Sequence, residues 1–391
     1  MDTERIIRIK DQMQKENLDV LICRLPENVV FLSGYWPLCG FSFLIFPREG
    51  EPTCIVPHCE KKEAKDELWN ADCIPFLFGV LDAGNPYEDI AKFLKTVKNG
   101  KSWKRIGYEG NFESVAPPWN AAEPAIPAKA TCNLLRCVFG EKNLVDATDL
   151  LNSQRLYKTT CEIEKFRRVN EISRFGLKMF YEKVASGISG VELVAQVEYA
   201  IMTQGTGYKG AKRVRAFAQV STGASETAIG FRPMVISTTR KLAEGDLALL
   251  ELAIVVDGFW CDRTRVRAAG KPTQKQTEIF EIVKSAQEAA IAKIKSGVSA
   301  GEVDEAARSI IRDAGFEKEF LHVTGHGLGF RYHESLPLIC PGSNFVLQAG
   351  MLHTVEPGIY LPEMGGIRLE DNVVVTANGR EILGTFDKEL C

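Results

Sequence analysis

The chain has 391 residues, 45% hydrophobic and 25% charged, an ordinary composition for a globular protein with room for two domains. The net charge is −3 without a long run of one sign, so the composition argues against nucleic-acid and anionic-membrane partners. The eleven cysteines form no CxxC pair, a pattern typical of reduced thiols in a cytoplasmic protein. The first ten residues are charged and periodic, and we expect no signal peptide.

Up to about residue 150 the chain alternates predicted strands with predicted helices, which indicates a compact α/β domain over residues 1–150. Because this domain lacks a glycine-rich phosphate loop, we expect it to have a packing role or to gate the access of substrate, rather than to carry chemistry of its own. The polar stretch at 146–159 ends it, and residues 151–391 form a second domain. The pattern predicts helices at 3–16 and 87–97 and strands at 19–23, 41–46 and 54–56.

Residues 29–46 carry no charge over a length that could cross a membrane. Gly34, Pro37 and Gly40 interrupt them, however, and interruptions of this kind mark turns. We therefore predict two strands around a turn here, and no membrane span.

Residues 246–267 are typical of two strands joined by an Asp-Gly turn at 257–258, the strongest short hairpin signal. With this turn, Glu251 faces Thr264 and lies diagonally across from Asp262 on the same face of the hairpin. Two carboxylates so close in apolar strands would repel each other without a positive partner. A metal ion is the simplest such partner.

A weak repeat relates the two halves of the second domain, because residues 296–302 match residues 186–192 at an offset of 110. Each copy carries a Ser-x-x-Glu capping box, which predicts the start of a helix. A Thr-Gly pair and an apolar hairpin with two acids follow in both copies, and the second pair of acids is Glu356 and Glu370. Two halves packed about a two-fold axis would bring all four acids to one centre.

His326 lies between two glycines, which clear side chains from the backbone and let a ligand approach. A histidine in such a place is often a turn residue, but beside four acids we expect it to be a fifth ligand. This donor set favours Mn²⁺ or Co²⁺, with Fe²⁺ or Zn²⁺ as alternatives. Two ions that share carboxylates would suit so many acids.

These residues lie in five short motifs: Asp262-Arg263-Thr264-Arg265, Gly325-His326-Gly327, His333-Glu334, Glu356-Pro357-Gly358 and Arg368-Leu369-Glu370-Asp371. Together they resemble the pita-bread metallopeptidase superfamily, namely Xaa-Pro aminopeptidase, prolidase, methionine aminopeptidase and the non-metal relative creatinase. The resemblance covers nearly the whole chain. It implies an α+β pita-bread domain of two pseudo-symmetric halves, with antiparallel strands inside and helices outside, after a creatinase-like N-terminal α/β domain.

The resemblance also implies roles for individual residues. Asp262 and Glu370 would bridge two metal ions, which polarise an amide carbonyl and activate a water. Glu356 matches an acid that passes the proton of the water, and His333 a histidine that steadies the tetrahedral intermediate. Arg368 is similar to a residue that orients the carboxylates. The implied metal ligands are Glu251, Asp262, His326, Glu356 and Glu370.

Two positions depart from the family pattern. Glu251 replaces an aspartate, so that its carboxylate reaches further into the site. We expect either that its coordination becomes monodentate or that one of two metal ions binds weakly. Met234 follows a proline where family peptidases carry a histidine, and methionine cannot donate a hydrogen bond to substrate. Arg232 or Arg331 could instead bind a substrate carboxylate, although a solvated arginine is the simpler interpretation. We interpret His322 as a packed side chain.

Three hypotheses follow. The first is a metal-dependent hydrolase that acts on a small peptide or peptide-like amide, and the resemblance implies that it is a homodimer. The second keeps the fold with changed chemistry, such as creatinase-like C–N hydrolysis or a lyase reaction, because of the departures at Glu251 and Met234. The third is a non-catalytic binding module, but a scaffold has little physical reason to hold four acids at one centre.

Overall fold

The computed structural model describes residues 1–110, 129–232 and 236–391. The described residues separate into two compact units, the first ending at Arg155 and the second beginning at Leu156. The predicted boundary between residues 150 and 151 lies within a helix that runs from Thr148 to Leu156.

The first unit is built on a mixed β-sheet. Its strands are β1 (Val20–Cys23), β2 (Phe43–Pro47), β3 (Thr53–Pro57), β4 (Asp72–Phe76), β5 (Ile106–Tyr108) and β6 (Leu144–Asp146). Its helices are α1 (Thr3–Lys15), α2 (Pro26–Ser33), α3 (Lys61–Glu67), α4 (Pro86–Lys98), α5 (Lys129–Phe139) and α6 (Thr148–Leu156). The strand order is β4-β3-β2-β1-β5-β6, and β1 pairs antiparallel with β2 and parallel with β5. The structure confirms the helices predicted at 3–16 and 87–97 and the strands predicted at 19–23, 41–46 and 54–56, each to within two residues at its ends.

The prediction of two strands around a turn over residues 29–46 is wrong, because the first part of this segment belongs to helix α2. Pro26 stands in the first turn, where its fixed φ suits a helix, and Gly34 ends the helix with a left-handed φ of 79°. The helix is buried on all sides from residue 27 to residue 33. It therefore lacks the polar face whose period would have identified it in the sequence.

The second unit begins with a helix pair, and its elements follow in chain order. The helices are α7 (Thr160–Lys183), α8 (Gly190–Gly205), α9 (Gly223–Thr227), α10 (Gln274–Lys293) and α11 (Ala300–Asp313). The strands are β7 (Val214–Thr222), β8 (Leu247–Val256), β9 (Phe259–Ala268), β10 (Gly325–Gly327), β11 (Glu334–Ile339), β12 (Leu352–Val355), β13 (Gly358–Leu361), β14 (Gly365–Arg368), β15 (Asp371–Val375) and β16 (Arg380–Ile382).

All strand pairs of the second unit are antiparallel, as predicted. The sheets have the orders β7-β8-β9, β11-β10-β12-β15-β16 and β13-β14. In the β8–β9 hairpin, Asp257 and Gly258 form the turn with φ values of 51° and 89°. Glu251 pairs with Thr264, which confirms the predicted register.

The internal repeat is visible as two helix pairs, α7–α8 and α10–α11, each followed by antiparallel strands. Both predicted capping boxes form at the starts of α8 and α11. The capping serines also make equivalent isolated bridges, Ser189 to Lys241 and Ser299 to Val346.

The apolar core of the second unit continues along β8 and β9 up to the acidic residues. Leu247, Leu249, Val266 and Ala268 are buried in the same cluster as residues of α10 and α11. Alternation along β8 places Glu251 on the face that carries Leu249, one pleat further on. The core thus ends where the carboxylates begin.

Candidate metal centre

The structure brings the five predicted ligands together. Their ligand atoms form three overlapping groups, and within each group these atoms lie within 4.8 Å of one another. The groups are Glu251, Asp262 and Glu370; His326, Glu356 and Glu370; and Asp262, His326 and His333. His333, predicted as a catalytic residue, therefore lies at the same centre.

Glu356 and Glu370 reach this centre from an interruption in the second hairpin. Both lie between two ladders of this hairpin: the β12–β15 ladder ends at the pair Val355 and Asp371, and the β13–β14 ladder starts at the pair Gly358 and Arg368. The buried amide of Gln287 crosses the interruption, where its Nε2 donates to the carbonyls of Val355, at 2.9 Å, and Leu369, at 3.1 Å. This clamp holds the two segments that carry the acids.

Burying these ionised carboxylates without a cation beside them costs free energy. Asp262 and Glu370 are each 1% exposed. Burial, and then the neighbouring carboxylates Glu370 and Glu356, raise the pKa of Asp262 well above its usual range. Glu370 Oε1 is buried and has no hydrogen-bond partner in the described part of the chain. A buried, unsatisfied acceptor among acids is the environment that a divalent cation fits.

His326 presents a neutral ring nitrogen to the acids. Its Nδ1 lies 2.9 Å from the Gly327 carbonyl, which identifies Nδ1 as the protonated nitrogen. Its Nε2 lies 3.5 Å from both Asp262 Oδ2 and Glu356 Oε1. Burial lowers the pKa of His326 to about 4. A neutral imidazole with its other nitrogen bonded to a backbone carbonyl is the usual arrangement of a metal-binding histidine.

The glycines beside His326 are required by close packing. A Cβ atom at Gly325 would collide with the Thr354 carbonyl, and one at Gly327 with the Leu336 carbonyl. Strand β10 therefore lies against its neighbours more closely than any side chain would allow.

Both oxygens of the longer Glu251 side chain are engaged by protein donors. Its Oε1 accepts a hydrogen bond of 2.7 Å from the hydroxyl of Tyr332. Its Oε2 accepts from Arg368 Nη2 and lies 3.3 Å from the Thr264 hydroxyl, whose single proton is directed at Glu370. Arg368 thus orients a carboxylate, in agreement with its predicted position beside the ligands.

Thr264 connects the two hairpins. Its hydroxyl lies 2.7 Å from Glu370 Oε2, and it accepts from Arg368 Nε at 3.0 Å. Thr264 was predicted only as the residue opposite Glu251 in the hairpin, although its position two residues after Asp262 already places it on the same strand face. Tyr332 was not predicted as a site residue, because the only sequence feature that pointed to it is its position directly before His333.

His333 stacks close to His326, with ring centroids 4.0 Å apart. Burial and the neighbouring imidazole lower the pKa of His333 to about 2, so the ring is neutral. His322 packs against Phe320 and Tyr360, and its Nε2 lies 2.9 Å from the Tyr360 hydroxyl. These contacts support the interpretation of His322 as a packed side chain.

Three further residues were considered for contact with substrate. Met234 is outside the described residues. Arg232 is exposed, with its guanidinium 5.8 Å from the centroid of the Phe231 ring. Arg331 is partly buried.

Comparison with known proteins identifies relatives over the whole chain. The model of metallopeptidase family M24 matches residues 164–377, and that of the creatinase/prolidase N-terminal domain matches residues 5–157. An Xaa-Pro dipeptidase of Lactobacillus delbrueckii subsp. lactis is 30% identical over 98% of this chain and 97% of its own length.

Solved structures show the same similarity. The prolidase of Pyrococcus horikoshii OT3 superposes with a TM-score of 0.79 at 28% identity, over 100% of both chains. The X-Pro aminopeptidase of Thermotoga maritima MSB8 superposes with a TM-score of 0.79 at 26% identity, over 98% of both chains.

These matches confirm the predicted fold and enzyme class, and they do not favour changed chemistry or a binding module. A requirement for divalent metal follows from the family, and the donor set described above fits it. Among the described helices, none has the length and apolarity needed to cross a membrane. The M24 match spans more than half of the sequence, and the chain belongs to metallopeptidase family M24.

Proposed function

We propose that the protein is a metal-dependent Xaa-Pro peptidase that cleaves the bond before proline in dipeptides or short peptides. The observation that carries the proposal is the convergence of four carboxylates and a neutral imidazole on one buried centre. The substrate class is supported by the relatives, which are named Xaa-Pro dipeptidase, prolidase and X-Pro aminopeptidase.

Two divalent ions, Mn²⁺ or Co²⁺ in preference to Fe²⁺ or Zn²⁺, would suit this oxygen-rich donor set. Asp262 and Glu370 belong to more than one of the ligand groups, which supports their assignment as the shared carboxylates. When bound, the ions supply Lewis acidity to the amide carbonyl and lower the pKa of a water. The proposed ligands are Glu251, Asp262, His326, Glu356 and Glu370.

Glu356 is the proposed proton carrier. In the metal-free protein, burial and then the charge of Glu370 raise the pKa of its carboxyl well above the usual range. Thr354 holds the carboxyl by donating to Glu356 Oε1 at 3.1 Å. An oriented carboxyl of this kind can accept a proton from the attacking water and deliver it to the leaving nitrogen.

His333 is proposed to hold the developing oxyanion. Its neutral ring lies beside His326 and Asp262, where it can donate a hydrogen bond to a substrate oxygen. Arg368 and Thr264 keep the carboxylates of Glu251 and Glu370 in place during the reaction.

The proposal is tested with protein that has been stripped by a chelator and reloaded with Mn²⁺ or Co²⁺. We expect metal-dependent cleavage of Xaa-Pro dipeptides and slow cleavage of matched Xaa-Ala dipeptides. Turnover of creatine would indicate changed chemistry, and cleavage of Xaa-Pro-Yaa tripeptides would indicate aminopeptidase action. Metal uptake without cleavage of any Xaa-Pro peptide would refute the proposal.

Met234 offers a matched variant for this assay. Loss of one positioned donor typically lowers the rate by about 10²-fold, so Met234→His is expected to raise kcat/KM for Xaa-Pro substrates. An unchanged or lower rate would show that position 234 does not limit the reaction.

We also propose that the enzyme is a cytoplasmic homodimer. The cytoplasmic assignment is supported by its eleven cysteines, all of which are free thiols. The dimer is supported by family resemblance, and sedimentation of the metal-loaded protein tests it, with a mass of two chains expected.

A further inference from the structure

The hydroxyl of Tyr332 lies between two of the proposed metal ligands. It is 2.7 Å from Glu251 Oε1 and 3.2 Å from Asp262 Oδ1. Tyrosine has one hydroxyl proton, and both neighbours are acceptors when ionised. The proton is therefore directed at carboxylate oxygens that would hold an ion, and chiefly at Glu251 Oε1, the nearer of the two.

The phenol ring is held in this position by its neighbours. The ring of His333 packs edge-on at 4.2 Å, and that of Trp260 lies at 5.8 Å, measured between centroids. Movement of the hydroxyl away from these oxygens would disturb both contacts. The hydrogen bond to Glu251 is therefore a built feature of the site rather than a chance rotamer.

Glu251 has no easy alternative for binding an ion. Its second oxygen already accepts a hydrogen bond from Arg368. At Glu370 the situation is different, because Oε1 has no protein donor in the described structure. The two parts of the centre therefore differ in how far protein donors occupy the ligand atoms.

We propose that Tyr332 is a positioning residue that restricts occupancy of the metal position shared by Glu251 and Asp262, because its hydroxyl proton competes with the ion for their facing oxygens. This inference rests on the proposed metal site. The extra methylene of Glu251, relative to the family aspartate, is what extends its carboxylate towards Tyr332. Tyr332 and Glu251 together thus give the chain a second metal position that fills only at higher metal concentration.

The test is calorimetric titration of the stripped protein with Mn²⁺, repeated with Co²⁺, whose visible absorption reports the coordination of each ion. Wild type is compared with Tyr332→Phe, which removes the hydroxyl and keeps the ring. Tyr181→Phe is the control, because the Tyr181 hydroxyl donates to the Asp387 carbonyl and accepts from the Glu389 backbone N–H, away from the proposed ligands. Thermal unfolding is measured for each protein with and without metal.

We expect Tyr332→Phe to bind the second ion at least tenfold more tightly, with the first binding step unchanged, and Tyr181→Phe to bind like wild type. The metal-free Tyr332→Phe protein should also melt at a lower temperature, since its two carboxylates lose their shared proton donor. An unchanged or weaker second step in Tyr332→Phe, beside normal uptake of the first ion, would overturn this inference alone. Failure of wild type to bind either metal would overturn the proposed function with it.

Discussion

Replacement of Asp371 by asparagine is expected to destabilise the second unit strongly. Asp371 is 1% exposed, and its Oδ1 accepts from Arg263 Nη2 at 2.8 Å and from Arg265 Nη2 at 2.7 Å. Both arginines are fully buried. Burial alone would raise the pKa of Asp371, but Arg265, Arg263 and Lys388 outweigh it and hold the carboxyl ionised.

The variant keeps the shape of the side chain but leaves two buried guanidinium groups without a counter-charge. Loss of one partner from a buried ion network costs about 3–5 kcal/mol. Because Arg265 Nη1 also donates to the Glu370 carbonyl at 2.7 Å, part of the damage should reach the metal centre.

The free energy of unfolding is measured by denaturant-dependent hydrogen exchange of peptides from β9 and β15 in metal-free protein. Glu305→Gln, which breaks an exposed ion pair with Arg312, is the control and should leave the stability unchanged. A loss below about 1 kcal/mol in Asp371→Asn would refute the argument that Arg263 and Arg265 depend on Asp371 as their counter-charge.

Two further predictions concern single side chains. Burial raises the pKa of Glu109 to about 7, so the folded state holds its proton where the unfolded chain has released it. The free energy of unfolding of the first unit should therefore fall by up to roughly 3 kcal/mol as the pH rises from 4.5 through 7. Glu109→Gln should abolish this fall. Denaturation curves that give both proteins the same dependence of unfolding free energy on pH would contradict the prediction. Thr264→Val removes the hydroxyl that donates to Glu370, and we expect about tenfold weaker Mn²⁺ binding by titration calorimetry; an unchanged affinity would show that this hydroxyl does not orient the ligand.

The local features of the second unit were predictable because they depend on short-range rules. The Asp-Gly turn at residues 257–258 sets the register of the hairpin, and that register places Glu251 and Asp262 on one face. The capping boxes at Ser189 and Ser299 likewise act within four residues of the helix start.

Other features depend on contacts between distant residues and were not predictable in this way. Helix α2 is buried all round, so its sequence lacks the period of an amphipathic helix. Tyr332 reaches Glu251 only because the loop after β10 folds back over the β8–β9 hairpin. Gln287 crosses the second hairpin from a helix more than sixty residues earlier in the chain, and no pattern in the sequence indicates that it does.

The most direct test of the account is the metal content of the protein after stripping and reloading with Mn²⁺ or Co²⁺, measured by elemental analysis. We predict close to two ions per chain for wild type at saturating metal, and a loss of bound metal in His326→Ala and Glu356→Gln. Circular dichroism of the stripped variants controls for folding. Folded wild-type protein that binds no metal under any loading condition would contradict the assignment of these acids as a metal centre.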